Sequence, residues 1–231
     1  MAIFQLNDQL WFPNPYLGEE DGLVAIGGDL SPERLILAYC NGFFPWYSYN
    51  DLDEPLWYCP TERFVIFPDE IHVSHSMRSL LNKNRYQCTF NRSFGRVIRE
   101  CSEVDDRNSK EGAWLGPQII EAYTEMHRLG LAKSVEVWDG DKLVGGLYGI
   151  QIENAFVGES MFSRIPSGSK LALVYLARIA RDNGWHFIDC QLETPHLRSM
   201  GARFIPYSEY MQLLHSKGSE REGLVEPETE A

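Results

Sequence analysis

The clearest hydrophobic pattern lies in the second half of the chain. Over residues 117–129 and about 167–182, apolar positions recur every three or four residues, which predicts two amphipathic helices. A short, mostly apolar segment over residues 186–191 predicts a buried strand. Three further segments between the helices are expected to form strands joined by short turns. These segments are 134–138, 143–152 and 155–160.

That order, strand–strand–strand–helix–strand, is the core order of an acetyltransferase-like α/β fold. The first sixty residues differ, because Pro, Gly and acidic residues crowd 11–30 and predict turns. A helix should begin after Ser31, whose hydroxyl can cap it, and end near Gly42. The pattern of residue types changes again around residues 60–68, which predicts a domain boundary there. We therefore expect an α+β protein with a small N-terminal domain, a GNAT-like (acetyltransferase-like) catalytic domain and a disordered acidic tail, over 1–65, 66–215 and 216–231.

Composition limits the class of protein. The 231 residues are 44% hydrophobic, and no apolar run approaches the roughly 20 residues of a membrane span. The N-terminus lacks a basic segment followed by an apolar stretch, so we expect a cytoplasmic protein with no membrane partner. Five cysteines without a Cys-x-x-Cys pair predict reduced thiols, and the scattered histidines predict no metal site.

The net charge of −12 is unevenly distributed. Residues 78–99, the basic segment, contain six Lys or Arg and no acid, which is a candidate footprint for a nucleic acid. A solvated basic surface is an equally good interpretation of charge alone. The six residues are Arg78, Lys83, Arg85, Arg92, Arg96 and Arg99.

Polar residues interrupt two apolar strands. Glu159 lies within one strand, and Asp189 and Gln191 lie two apart on the next, which predicts that their side chains share a face. Buried polar groups of this kind are either paired for structural reasons or functional. An acyl-CoA ligand is disfavoured, because residues 164–169 hold a single glycine and Pro166 removes a backbone donor from the turn that would bind pyrophosphate.

The chain resembles the bacterial leucyl/phenylalanyl-tRNA–protein transferases, aminoacyltransferases of the N-degron pathway. The matching motifs run in family order over about residues 20–205. They are Gly22-Leu23, Gly27-Gly28-Asp29-Leu30-Ser31-Pro32, Gly42-Phe43-Phe44-Pro45-Trp46-Tyr47-Ser48, Leu143-Val144-Gly145-Gly146-Leu147-Tyr148-Gly149, Gly158-Glu159-Ser160-Met161-Phe162-Ser163, Ser169-Lys170, Ile188-Asp189-Cys190-Gln191 and His196-Leu197-x-Ser199-Met200-Gly201-Ala202.

The resemblance implies transfer of Leu, Phe or, less well, Met from aminoacyl-tRNA to proteins that begin with Lys or Arg. Because the donor is an activated ester, we expect no cofactor, and we expect a monomer. Asp189 and Gln191 would be the catalytic pair, with Glu159 orienting the substrates. The remaining positions carried over from the family would bind substrate. The aminoacyl side chain would contact Leu147, Phe156, Met161, Ser163 and Ile188, the terminal adenosine would contact Trp46, Trp114 and Tyr123, and the tRNA acceptor stem would contact Arg78, Lys83 and Arg85.

Two other classes stay open on the residues alone. An acyl-CoA-dependent N-acetyltransferase would use the same fold, and a non-catalytic RNA-binding module would need only the basic segment. Paired polar residues on a buried strand favour an enzyme over the binding module, because tRNA binding does not require them.

Overall fold

The N-terminal part of the chain forms a small sheet with one helix. The computed structural model describes residues 2–46, 54–108 and 115–216, with the side chains of 104–108 left aside. The sheet has the strand order β1-β2-β4-β3, and α1 connects β2 to β3. A 3-10 helix covers Pro15–Leu17. The elements are β1 (Phe4–Leu6), β2 (Leu23–Gly27), α1 (Pro32–Cys40), β3 (Phe44–Trp46) and β4 (Leu56–Tyr58).

The rest of the described chain builds one larger sheet with helices on both faces. Its strand order is β11-β5-β10-β9-β8-β7-β6, and β10 pairs parallel with β9 while the other pairs are antiparallel. The strands are β5 (Glu62–Ile66), β6 (Gln87–Phe90), β7 (Ala132–Asp139), β8 (Lys142–Ile152), β9 (Ala155–Ser163), β10 (Phe187–Asp189) and β11 (Arg203–Pro206). The helices are α2 (His75–Asn82), α3 (Phe94–Asn108), α4 (Pro117–Arg128), α5 (Gly168–Asp182), α6 (Pro195–Arg198) and α7 (Tyr207–Leu214).

The predicted α+β class is confirmed, with β7-β8-β9-α5-β10 as the acetyltransferase-like core. Local chemistry explains several boundaries. The Ser31 hydroxyl accepts a hydrogen bond from the Arg34 backbone N–H at the start of α1. Gly140 adopts a positive φ of 60° in the two-residue turn between β7 and β8, as hairpin turns require.

Two hydrophobic cores lie on opposite faces of the large sheet. One core packs α5 and the start of α2 against residues such as Leu147, Phe156 and Ile188. The other core joins α3, α4 and α7 to the N-terminal sheet, and Trp57 and Tyr39 are fully buried in it. The N-terminal part is therefore held against the larger sheet by a continuous apolar core.

The chain passes into the large sheet before residue 66. Strand β5 begins at Glu62 and pairs with both β10 and β11, so the predicted division between residues 65 and 66 falls within a strand of the large sheet. Of the predicted acidic tail, residues 217–231 lie outside the described part of the chain.

Candidate active site

A β-bulge on β9 places Glu159. Tyr148 pairs with Ser160 and Gly149 pairs with Gly158, so Glu159 has no partner on β8. The extra residue exchanges the two faces of β9, because Phe156 and Met161 then belong to the core beside α5 although five positions separate them. Gly149 makes room for the bulge, since a Cβ there would lie 2.1 Å from the Val157 carbonyl oxygen.

An apolar pocket of about 210 Å³ opens beside this bulge. Its floor comes from β8, β9 and β10, one wall from α5, and another wall from Pro45 and Trp46 of β3. The predicted residues that line it are Trp46, Leu147, Glu159, Met161, Ile188, Asp189 and Gln191. The structure thus brings together the three predicted catalytic residues and half of the predicted substrate contacts.

Glu159 accepts hydrogen bonds from two buried tyrosines. Its two carboxylate oxygens accept from the Tyr39 and Tyr123 hydroxyls, each at 2.9 Å, and those two hydroxyls also contact each other. Burial raises the pKa of both phenols well above its usual value, so the phenols stay protonated. Both phenol protons are therefore available to donate to the Glu159 carboxylate oxygens.

Burial raises the pKa of Glu159 to about 7, against the lowering effect of hydrogen bonds from Tyr39, Tyr123 and Gln191. The Gln191 amide nitrogen donates to Glu159 Oε1 at 2.9 Å. A carboxylate with a pKa near neutrality can both take and return a proton at physiological pH. Glu159 therefore has the environment of a general acid–base group.

Asp189 is fully buried and its charge is balanced. The Arg63 guanidinium and the Tyr210 hydroxyl, at 3.1 Å, both donate to Asp189 Oδ2. Burial alone would lower the pKa of Arg63, but the Asp189 carboxylate outweighs that effect and holds the pKa above its usual range. Because the pair is internally neutral, Asp189 does not present a free negative charge to the pocket.

The predicted strand over 186–191 is too long. β10 ends at Asp189, whose Oδ1 accepts a hydrogen bond from the Gln191 backbone N–H at 2.9 Å, and Gln191 takes a left-handed φ of 58°. This side-chain turn takes the chain out of the sheet. The two side chains therefore do not share a strand face as predicted, and Gln191 reaches the pocket through its turn.

Several predicted contacts lie away from the pocket lining. Phe156 is fully buried and stacks on Trp185 with ring centroids 5.9 Å apart. Ser163 is exposed, and its hydroxyl donates to the Ile165 carbonyl. Tyr123 is fully buried behind Glu159 and reaches the site only through that carboxylate. Trp114 lies outside the described residues.

The three predicted tRNA contacts are exposed around the end of α2. Arg78 lies on α2, where its Nε donates to the Val73 carbonyl at 3.0 Å, and Lys83 follows the helix. Arg85 forms an ion pair with Asp139 at 2.7 Å. These positions are accessible to a polyanion, and one of them already has an acidic partner.

Sequence reasoning missed Arg63 and Tyr210, and Tyr39 was expected only as part of a helix. Two of the three contact the site from far along the chain, since 126 residues separate Arg63 from Asp189 and 120 separate Tyr39 from Glu159. Tyr39 lies on the apolar face of α1 and Arg63 within an apolar strand. A lone arginine inside an apolar strand was the available signal.

Metal-binding clusters and membrane-spanning helices are both absent from the described part of the chain. Its residues include no group of three His, Cys, Asp or Glu side chains arranged to hold a metal ion. None of the helices described above is long and apolar enough to cross a membrane.

Comparison with known proteins identifies the family. A family model described as "Leucyl/phenylalanyl-tRNA protein transferase" matches residues 65–215, and the model of that family's N-terminal domain matches residues 28–61. A leucyl/phenylalanyl-tRNA–protein transferase of Syntrophobacter fumaroxidans is 48% identical over 93% of this chain and 90% of its own. The corresponding protein of Flavobacterium psychrophilum is 46% identical over 90% and 98%, respectively.

Solved structures give a weaker likeness. L-PGS from Bacillus licheniformis aligns at 15% identity and a TM-score of 0.43, covering 74% of this chain and 54% of that one. This chain therefore spans just over half of that protein, and at such scores the likeness says nothing about function.

The matches define an aminoacyl-tRNA-dependent transferase, which confirms the predicted enzyme class over the acyl-CoA and RNA-binding alternatives. The chain belongs to the leucyl/phenylalanyl-tRNA–protein transferase family.

Proposed function

We propose that the chain transfers Leu, Phe and, less well, Met from aminoacyl-tRNA to the α-amino group of proteins that begin with Lys or Arg, marking them for N-degron degradation. The supporting observation is an apolar pocket of about 210 Å³ with Glu159 and Gln191 hydrogen-bonded together in its wall. Leu147, Met161 and Ile188 offer apolar surface to a large aliphatic or aromatic side chain. A pocket of this kind separates close analogues only weakly, by about 1–3 kcal/mol.

The reaction is the aminolysis of an ester. The acceptor nitrogen attacks the ester carbonyl carbon, the bond from that carbon to the ribose oxygen breaks, and an amide forms. One proton leaves the nitrogen and one reaches the ribose oxygen. Because the ester is activated, catalysis needs placement, a neutral amine and a route for this proton. An α-amino group has a reference pKa of about 7.7–8.0, so a sizeable fraction is neutral near pH 7.

In this proposal Glu159 carries the proton. Its pKa near 7 lets the carboxylate accept a proton from the attacking amine and return it to the departing ribose oxygen. Gln191 donates its amide N–H to Glu159, and its amide oxygen can accept an N–H from the amine. Asp189, balanced by Arg63, holds the turn that presents Gln191. The amine is thus oriented between an amide and a carboxylate.

Trp46 in the pocket lining, together with Trp114, is proposed to hold the terminal adenosine, since flat aromatic rings stack on bases. Tyr123 is assigned instead to the support of Glu159. Arg78, Lys83 and Arg85 are proposed to bind acceptor-stem phosphates. We further propose that the protein acts in the cytoplasm as a monomer without a cofactor.

Transfer of labelled leucine from Leu-tRNA to short peptides tests the function. Peptides beginning with Arg or Lys should be labelled, and a peptide beginning with Ala should not. Glu159→Gln should lower the rate about 10²-fold or more, whereas Glu121→Gln on the exposed side of α4 should leave it unchanged. Labelling that ignores the first residue of the peptide, or a Glu159→Gln variant of normal rate, would contradict the proposal.

A further inference from the structure

Arg63 joins three parts of the molecule at one guanidinium. The residue lies on β5 with a side chain only 1% exposed. One terminal nitrogen donates to the Gly42 carbonyl in the turn before β3, and the other donates to Asp189. Its planar face lies over the Tyr210 ring, 4.4 Å from the centroid. A buried arginine with two anchored nitrogens and a stacked face has a fixed position.

That position fixes the Asp189 carboxylate. Arg63 and Tyr210 occupy Oδ2, which leaves Oδ1 aimed at the Gln191 backbone N–H, 2.9 Å away. This bond closes the turn that holds Gln191 at a φ of 58°, a region that residues other than glycine seldom adopt. With the chain in this conformation, the Gln191 amide nitrogen lies within hydrogen-bonding distance of Glu159.

We propose that Arg63 is a positioning residue for the transfer reaction: by orienting Asp189 it holds Gln191 in its left-handed turn and so keeps the Gln191 amide bonded to Glu159. The inference rests on the proposed function of this pocket. Arg63 contacts no lining residue other than Asp189 in the hydrogen bonds and ion pairs of the described residues. Its direct contact with the pocket lining therefore runs through Asp189, and from there to Gln191.

The pKa of Glu159 is sensitive to whether the Gln191 amide is bonded to it. Tyr39 from α1, Tyr123 from α4, and Asp189 and Gln191 at the end of β10 face the carboxylate, and burial raises the pKa while the Gln191 hydrogen bond lowers it. If Arg63 is altered and Gln191 leaves Glu159, that lowering is lost. The pKa of Glu159 then rises by about half a unit to one unit, as expected for the loss of one hydrogen bond.

Arg63→Lys tests the proposal. Lysine keeps the positive charge, but its single ammonium nitrogen cannot reproduce the two hydrogen bonds that the planar guanidinium makes to Gly42 and Asp189. Arg34→Lys is the matched control. Arg34 is also fully buried and donates to the backbone carbonyls of Asn7 and Gln9, away from the pocket. The two readouts are the carbon-13 NMR titration of the Glu159 carboxylate, which needs no turnover, and the leucyl transfer rate of folded protein.

In Arg63→Lys we expect the Glu159 titration to move to higher pH and kcat to fall about tenfold or more, while Arg34→Lys changes neither. Gln191→Met should shift the titration similarly, and adding Arg63→Lys to it should cause no further shift, since both act by one route. An unmoved titration in Arg63→Lys, or shifts that add in the double variant, would overturn the proposal.

If Arg63→Lys does not fold, Arg63→Met combined with Asp189→Asn tests the same step, because it leaves no unpaired buried charge. The amide at position 189 can still accept from the Gln191 N–H. Compared with the wild type, whose Arg63–Asp189 pair is also neutral overall, the combination should titrate at higher pH, and an equal titration would again overturn the proposal. The two proposals can fail separately. If the variants shift the Glu159 titration as expected but the wild-type protein transfers no leucine, the proposed function is contradicted, while the control of Gln191 by Arg63 is supported.

Discussion

At the scale of single residues, the buried Glu159 carboxylate couples the stability of the fold to pH. Its pKa is raised from 4.5 to about 7 in the folded chain, so the folded state holds this proton more tightly than the unfolded state does. The contribution of Glu159 to stability is therefore greatest below about pH 4.5 and falls as the pH rises towards 7. Above that point the cost is constant, on the order of 3 kcal/mol.

Glu159→Gln should therefore stabilise the fold increasingly as the pH rises. Near pH 5 the variant and the wild type should differ little, and at pH 8 the variant should gain up to about 2–3 kcal/mol, reduced by any hydrogen bond that the amide makes less well. Urea unfolding at several pH values measures the difference. Glu121→Gln, at an exposed position, is the control and should show a difference independent of pH. A Glu159→Gln variant that becomes less stable with rising pH would contradict the assigned pKa direction.

Met161 should set the size limit of the pocket. Met161→Trp fills space within the roughly 210 Å³ cavity, so transfer of Phe should fall more than transfer of Met, with a change in the ratio of about tenfold. Competition between the two aminoacyl-tRNAs in one reaction measures that ratio directly. Equal losses for both donors would place Met161 outside the side-chain pocket.

At the scale of secondary structure, two irregularities build the site from regular strands: the bulge at Glu159 and the turn at Gln191. The hydrophobic pattern predicted β7, β8, β9 and α5, because the spacing of apolar residues along a segment indicates which of its faces is buried. It could not predict the bulge, since Gly158-Glu159-Ser160 reads as strand in either register. It also extended β10 to Gln191, because Asp189 closes the turn and is paired with Arg63, 126 residues away in the sequence.

The family motifs supplied what periodicity could not. They placed the catalytic Glu159, Asp189 and Gln191 beside five contacts for the aminoacyl side chain. The structure lines a pocket with all of these residues except two of the contacts, Phe156 and Ser163. They gave no account of Tyr39 or Arg63, whose contacts arise only when α1 and β5 pack against the large sheet.

The bulge predicts opposite effects for two glycine-to-alanine changes. Gly149→Ala would force a Cβ to within 2.1 Å of the Val157 carbonyl oxygen and 2.6 Å of the Phe156 ring, so it should destabilise the fold by about 3 kcal/mol or more. Gly95→Ala, in α3 with no atom closer than 3.9 Å, should be neutral or stabilise by about 0.5–1 kcal/mol. Thermal melting compares them, and a Gly149→Ala variant as stable as Gly95→Ala would argue against the bulge.

At the scale of the whole molecule, the pocket forms where the N-terminal sheet meets the large sheet, since β3 supplies Pro45 and Trp46 and β9 and β10 supply the polar groups. The exposed cations around α2 stand out in a chain of net charge −12. A long-range field of that sign repels nucleic acid, so local cations have to supply the binding.

Reversing Arg78, Lys83 and Arg85 together should weaken binding of all tRNAs alike and lower the salt dependence, by a slope of about 0.7–0.9 for each phosphate that is no longer neutralised. The control reverses three other exposed cations, Arg128, Lys142 and Arg181. Titration of tRNA at several salt concentrations separates the two variants. Equal losses in both would mean that only the overall charge matters, and unchanged binding would make the basic segment a solvated surface.

The central claim is that Glu159 takes the proton of the attacking amine, and the pH profile of leucyl transfer to an Arg-starting peptide tests it most directly. Between about pH 5 and 9, the wild-type rate should rise in two steps, one near pH 7 from Glu159 and one near the pKa of the peptide amine. Glu159→Gln should be slow and should retain only the amine step. A wild-type profile with the amine step alone, or a Glu159→Gln profile that keeps both steps, would contradict the account.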